Sequence, residues 1–289
     1  MMKAYSAIED IFKVRYQQPS ASWGLVPTMG YLHQGHLSLV RRARDENDLV
    51  AVSIFVNPAQ FNNPDDLVNY PRDNDRDFRL LEQAGVDLIW VPEPEMVYPS
   101  GYQTYVDVEG LTNCLEGTSR PGYFRGVTTI VAKLFNIFRP QQAYFGQKDY
   151  QQALVINQMV KDLNFKIDIV ICPTVREPDG LAMSSRNARL SPLARQQATC
   201  LHGALAAAKS AFEAGERNAS ELRSKMKSVL NSVKNAQVDY VSVAHPQTLK
   251  ELEIVEEQAL ISLAVFIEDI RLIDNIVVSC GFKTPSNVR

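Results

Sequence analysis

Two histidines three residues apart, His33 and His36, stand inside the stretch LVPTMGYLHQGHLSLV, residues 25–40. Two imidazoles aimed at one anion stabilise charge that builds up on it. The pattern places them where a helix opens near Gly35, and a helix N-terminus exposes unpaired N–H groups and a partial positive charge that favour phosphate. Residues 23–26 read as a short buried strand, and Pro27 and Thr28 as the bend that follows. A strand, a loop and a helix with HxGH at the junction form a grip for a nucleotide phosphate. Two duller readings stay open. The pair could be half of a metal site, although only His202 and His245 remain elsewhere and no CxxC accompanies it. They could also be ordinary surface residues.

Other residues of suitable chemistry lie far along the chain. Lys148, in the loop Gly146-Gln147-Lys148-Asp149, precedes a helix, where a cation reaches a phosphate. Asp149 and Gln152 have the spacing of a capping box, so Asp149 either caps the helix or contacts a ribose, while Gln152 points from the first turn toward substrate. Gln60, in NPAQF, offers an amide that holds a carboxylate or hydroxyl without adding charge, or else a turn residue bonded to backbone. Asn57, at a strand end before Pro58, reads as structural. Ser184, Ser185 and Arg186 join two hydroxyls to a charged fork that suits phosphate. Following Pro178 and Gly180, they read as a mobile flap or as a polar interdomain loop. Asp75 and Asp77 are magnesium candidates or first-turn carboxylates serving a helix dipole. Arg72, Arg120 and Arg125 fall in irregular loops and carry no signal individually.

His, Lys, Ser and Arg around phosphates, with no carboxylate base beside the grip, favour attack on phosphorus by a nucleophile that is already anionic. A substrate carboxylate meets that condition at neutral pH, so positioning and charge stabilisation do most of the work. The products are an acyl-adenylate and pyrophosphate. A ligase uses such a site, and so does a nucleotidyltransferase that keeps AMP on its product. A sensor that closes on ATP without turnover fits the His pair and Lys148 as well.

The elements that must hold these residues alternate. Helices are expected from Ser6-x-x-Glu9 onward, from about Gly35 to Asn47, over 73–84, from Val127 to Phe138 and from Asp149 to about Leu163. Strands are expected at 23–26, 49–56, 86–92, 143–145 and 166–172. The run LVAVSIFV is nearly all apolar, as suits a central parallel strand covered on both faces. This order implies a Rossmann-like, doubly wound parallel sheet with right-handed crossovers, and ligands bind outside the carboxyl ends of such strands. PTMGYLHQGH, NPAQF and GQKD each follow a strand, so all three can meet in one crevice. Past Val175 the texture changes to a long Ala-rich helix opened by Ser191-Pro192, a second helix over 219–234, and strands at 238–243, 259–267 and 270–278. We therefore expect residues 1–175 to form a nucleotide- and acid-binding domain, and 176–289 a smaller α+β lid domain. The tail GFKTPSNVR is expected to be loose.

Bulk composition bounds the rest. At 289 residues, with 45% hydrophobic and 22% charged content, the chain is ordinary for a globular protein. A formal net charge of −3 gives no electrostatic case for nucleic acid or an anionic membrane. The longest charge-free apolar run, near Gln258 to Ile267, is too short to span a bilayer. The four scattered cysteines and the absence of a signal-like N-terminus imply reduced thiols and a cytoplasmic location.

At these residues the sequence resembles the pantothenate synthetase (pantoate–β-alanine ligase) family. PTMGYLHQGHLSLV, SIFVNPAQF, YPRD, LEGTSRPGYFRGV, FGQKDYQQ, MSSRNARLS and RLIDN run in the family's order over nearly the whole chain. HxGH with MSSRN is also similar to the paired signatures of the wider adenylyl-transfer superfamily, which includes class I aminoacyl-tRNA synthetases. The resemblance implies that pantoate's carboxylate attacks the α-phosphate of ATP, with Mg²⁺, and that β-alanine then displaces AMP from pantoyl-adenylate. It implies catalytic roles for His33, His36, Lys148, Ser184, Ser185 and Arg186. It implies an ATP site from Met29, Gly30, Tyr31, Leu32, His33, Gln34, Gly35 and His36, with Gly146, Gln147, Lys148, Asp149, Val175, Met183, Ser184, Ser185 and Arg186. Pantoate would meet Pro27, Met29, Gln60 and Gln152, and β-alanine would meet Asn57, Gln60 and Arg186. Asp77 is the implied magnesium partner, and the assembly a homodimer through the N-terminal domain. One position departs from the family: where RPGHF is expected, this chain has Tyr123, which cannot carry positive charge near neutral pH.

Overall fold

The structure, a computed structural model, describes residues 2–280. The expectation for the tail, residues 281–289, lies outside the described residues. The chain divides into two compact units, one of residues 1–177 with 182–188, the other of 178–181 with 189–289. The boundary thus falls two residues later than the sequence suggests. The MSSRN segment, expected in the second domain, belongs to the first unit.

The first unit holds a parallel sheet of six strands in the order β1-β4-β3-β2-β5-β6. These are β1 (Lys3–Tyr5), β2 (Trp23–Thr28), β3 (Leu49–Ile54), β4 (Leu88–Trp90), β5 (Gln142–Gly146) and β6 (Asp168–Cys172). Alternation along the strands fills two cores. Leu25, Ala51, Leu88 and Trp90 face one core; Val26, Val50, Val52 and Ile89 face the other. The first core is covered by α1 (Ile8–Gln17) and by two helices nearer the C-terminus of the unit, and the second by α2 (Gln34–Glu46). The remaining helices of the unit, in chain order, are α3 (Pro64–Val68), α4 (Asn74–Gln83), α5 (Pro94–Val97), α6 (Glu116–Ser119), α7 (Tyr123–Phe138) and α8 (Tyr150–Asp162). Val127, Ile130, Val131, Leu134, Phe135 and Phe138 of α7 are all buried. At about 1.5–3 kcal/mol for each large apolar side chain fully removed from water, that one stripe anchors the helix to the sheet.

Two local readings change. The first helix begins at Ile8 with Ala7 as its cap and no side-chain cap bond, so Ser6 and Glu9 form no capping box. The edge strand β1 is too short to show a pattern; it is recognised only by its parallel pairing with β4.

The sheet opens where function was expected. β2 pairs with β3 over six residues, from Trp23↔Leu49 to Thr28↔Ile54. It pairs with β5 only at Gly24↔Gln142 and Leu25↔Ala143. Pro27 has no N–H to continue that ladder, and the two strands part beyond Leu25. Chain order reverses direction at this same place, with β3 and β4 on one side of β2 and β5 and β6 on the other. A crevice at the carboxyl ends of the strands is the physical consequence.

The second unit has an antiparallel sheet of β7 (Ala236–Ala244), β8 (Gln258–Ile267) and β9 (Ile270–Ser279). Its helices are α9 (Pro192–Gln197), α10 (Cys200–Glu213) and α11 (Ala219–Asn231). Ala204, Ala208, Leu201 and Leu205 of α10 share a core with Leu222, Met226 and Leu230 of α11. The expected single Ala-rich helix is interrupted at Ala198–Thr199, where the Thr199 hydroxyl donates to the Gln196 carbonyl at 2.8 Å and competes with the helical ladder.

Candidate active site

His33 and His36 hold each other. His33 is the N-cap of α2, and its Nδ1 accepts the Gly35 N–H at 3.1 Å. His36 Nδ1 accepts the His33 N–H at 3.3 Å, and the ring centroids are 4.0 Å apart. A Cβ on residue 35 would come within 2.8 Å of the His33 ring, so the closeness of that ring requires glycine. Since both Nδ1 atoms accept, the proton of each neutral imidazole sits on Nε2. Both rings are neutral at physiological pH. Burial, then His36, then the charge of Lys148 bring His33 down to about 2. Burial and Lys148 bring His36 down to about 4. The grip therefore offers two neutral N–H donors beside an ammonium, with Asp149 and Arg76 also acting on His33.

The loop that carries them is tied at several points. Thr28 Oγ1 donates to the Ser53 carbonyl at 2.8 Å and accepts the Gly30 N–H at 3.2 Å. Asp77, fully buried, accepts the N–H of Tyr31 at 2.6 Å and of Leu32 at 2.8 Å. Tyr31 holds a positive φ of 50°, a conformation uncommon for a side chain of its size and sustained here by those bonds. The Ser185 hydroxyl donates to the Tyr31 carbonyl at 3.1 Å, and the Met183 N–H to the Val175 carbonyl at 3.0 Å. The MSSRN segment is thereby laid against the histidine loop.

Beyond the loop stands a group of amides. Gln60 Nε2 donates to Met29 Sδ at 3.2 Å, and its Oε1 accepts Asn57 Nδ2 at 3.0 Å. Asn57 Oδ1 accepts the Tyr98 hydroxyl at 2.8 Å, and Nδ2 also donates to the Gly126 carbonyl at 3.1 Å. Gly126 itself admits no Cβ, which would lie 2.3 Å from the Ala59 carbonyl oxygen. On the far side Gln152 Oε1 accepts the Tyr123 hydroxyl at 2.9 Å. The neighbouring Gln151 is spent on structure, accepting the Glu116 N–H and donating to the Leu111 and Cys114 carbonyls.

A model of the pantoate–β-alanine ligase family matches residues 1–277. The chain belongs to the pantoate–β-alanine ligase family. It is 55% identical over 261 residues to the pantothenate synthetase of Moorella thermoacetica, covering 90% of this chain and 92% of that one. It is 52% identical over 277 residues to that of Herpetosiphon aurantiacus, covering 96% and 100%. Among solved structures, the pantothenate synthetase of Thermus thermophilus superposes with a TM-score of 0.91 at 47% identity, over 95% of this chain and 99% of that one. The pantoate–β-alanine ligase of Francisella tularensis, complexed with Beta-gamma ATP and Beta-alanine, gives 0.79 at 36% identity, over 96% and 97%.

Within this family fold, three of the expected site residues have defined local partners. Asn57, assigned to β-alanine by motif, is 1% exposed with both polar atoms engaged, and one of its bonds holds the Gln60 amide. Asp77, assigned to magnesium, has both oxygens taken by backbone N–H groups, and it holds the histidine loop. Asp149 occupies the cap of α8 without a side-chain cap bond, and its charge acts on His33. Arg186 stands paired with Asp66 at 2.9 Å, its guanidinium 5.7 Å from the Tyr70 ring. Sequence reasoning missed Thr28, Asp66 and Arg120 as parts of the site and marked Tyr123 only as a departure from a motif. Only the RPGYF motif signalled any of them. Among the described residues no group of three or more His, Cys, Asp or Glu could hold a metal ion.

Proposed function

We propose that this chain condenses pantoate with β-alanine to pantothenate in two half-reactions driven by ATP. The observation that carries the reading is the reciprocally capped pair of neutral imidazoles beside Lys148, in a loop that also touches Gln60 and Ser185. ATP occupies the rim formed by residues 29–36, 146–149, 175 and 183–186. Pantoate lies by Pro27, Met29, Gln60 and Gln152, and β-alanine enters beside Gln60 and Arg186.

In the first half-reaction a pantoate carboxylate oxygen attacks the α-phosphorus, the bond to the bridging oxygen breaks, and pyrophosphate leaves. Nε2–H donors of His33 and His36 and the ammonium of Lys148 stabilise the charge on the phosphate oxygens. A neutral donor keeps its proton through the step, so the loop's electrostatics need no reorganisation. In the second half-reaction the β-alanine amine adds to the acyl carbon. The carbon–oxygen bond to AMP breaks, and the amine's proton leaves to solvent. Magnesium belongs in this scheme to the nucleotide, as the counter-ion of its phosphates. Cytoplasmic location and a homodimer through the first unit are part of the same proposal. Cell fractionation and sedimentation check them. In support, no helix among the described residues is long and apolar enough to cross a membrane.

The test supplies ATP, magnesium and pantoate, with and without β-alanine, and follows AMP and pantothenate. AMP and pantothenate formed in equal amounts, only when all substrates are present, is the expected result. Pyrophosphate release with AMP retained on the product identifies a nucleotidyltransferase instead, and domain closure without turnover identifies a sensor.

A further inference from the structure

Gln60 and Gln152 are far apart in sequence, but one short chain of contacts joins them. Arg120 Nη2 donates to the Gln60 carbonyl at 3.1 Å. The same guanidinium lies 3.6 Å from the centre of the Tyr123 ring, with Glu116 at 3.8 Å from its other arm. Tyr123 is 8% exposed, and its hydroxyl is the partner of Gln152 Oε1.

An amide has two unlike ends, and a buried hydroxyl can bond either one. A cation on the ring face draws electron density from the phenol, making its O–H a better donor and its oxygen a poorer acceptor. The hydroxyl therefore takes the carbonyl end of Gln152 and turns the –NH₂ end outward. Among the described residues that –NH₂ has no hydrogen-bond partner. Gln60 is set in the same sense, its oxygen held by Asn57 and its –NH₂ pointed at Met29 with one N–H to spare. Two amides presenting donors suit a ligand rich in acceptors, such as a carboxylate with hydroxyls.

We infer that Tyr123, stacked under Arg120, is a positioning residue for pantoate: it fixes which end of the Gln152 amide faces the acid. The inference rests on the reading of Gln152 as a pantoate contact. Burial holds the phenol protonated, up to about 12, so the donor persists throughout the working range of pH.

A double-mutant cycle on the full-length chain tests this, with Tyr123→Phe, Gln152→Ala and the pair. Phenylalanine keeps the ring and its stacking and removes only the hydroxyl. Loss of one neutral hydrogen bond should raise the KM for pantoate about fivefold to tenfold and leave that for ATP unchanged. In the Gln152→Ala background the same change should have no further effect, because its only target is gone. Additive losses, or equal shifts for ATP and pantoate, would overturn the inference and leave the Gln152 assignment intact. An unchanged pantoate KM in Gln152→Ala would overturn both. If Tyr123→Phe fails to fold, Arg120→Gln takes its place in the cycle: its effect on the pantoate KM should shrink in the Gln152→Ala background, and fully additive losses contradict the proposal.

Discussion

The phosphate grip and the amide group lie in one unit but are built in opposite ways. His33 and His36 are held by groups two and three residues away, each capping the other's turn. Gln60 and Gln152 are held by Asn57, Arg120 and Tyr123, and those holders lean on Tyr98, Gly126 and Glu116. The two imidazoles of the charge-handling half are thus oriented by local geometry at a helix end, on a loop that Asp77 and Ser185 tie down from afar. The half that recognises the acid is set by long-range packing around α7. Changes to the first should strike rate, and changes to the second should strike affinity for one substrate.

The largest effect expected is at the grip. His36→Ala should slow adenylate formation by about a hundredfold to a thousandfold, the scale of losing one donor to transition-state charge, with little change in ATP affinity. Single-turnover quench and equilibrium nucleotide titration separate the two, and equal losses in both would assign His36 to ground-state binding. Next comes the support beneath the grip. Asp77→Ala leaves two loop amides without an acceptor and should cost roughly 2–4 kcal/mol of stability by denaturant titration. Asp77→Asn, assayed where it stays folded, should keep the magnesium dependence of the unaltered chain. A shifted metal requirement would restore Asp77 as a ligand.

On the amide side the expected effect is smaller and selective. Asn57→Ala frees Gln60 and should raise the pantoate KM about tenfold at unchanged ATP KM. A parallel rise for ATP would erase the contrast between the two halves.

A fourth effect is on pH dependence. An imidazole of the unfolded chain titrates near 6.5, whereas those of the folded chain wait until about 2 and about 4. Between those values the unfolded chain binds more protons, so stability falls as pH drops below about 6.5. The share due to His36 stops falling near 4. Denaturant titrations across that window should show a flatter slope for His36→Asn, and an unchanged slope would mean the imidazole is not shielded as described.

How much of this the sequence disclosed follows the same divide. HxGH was legible because its partners sit within one helical turn, and the nearly unbroken apolar run LVAVSIFV revealed a strand buried on both faces. The convergence of three turns followed from parallel topology, which the strand order bears out. The bonds of Asp77 to the histidine loop were not legible because a first-turn carboxylate looks alike whether it serves a dipole, a metal or a loop 45 residues away. Gln152 has the spacing of a capping partner, yet Tyr123, 29 residues distant, takes its oxygen. Arg120 gave no local signal because its targets are a carbonyl 60 residues away and the face of a ring. At Asp77, Gln152 and Arg120 tertiary contact outranked local pattern.

The central claim is that a carboxylate attacks the α-phosphorus held at this grip. Pantoate carrying heavy oxygen in both carboxylate positions tests it in one turnover with ATP and β-alanine, read by mass spectrometry of the AMP. The account predicts one labelled oxygen in AMP and the other in the amide carbonyl of the product. Unlabelled AMP would contradict it.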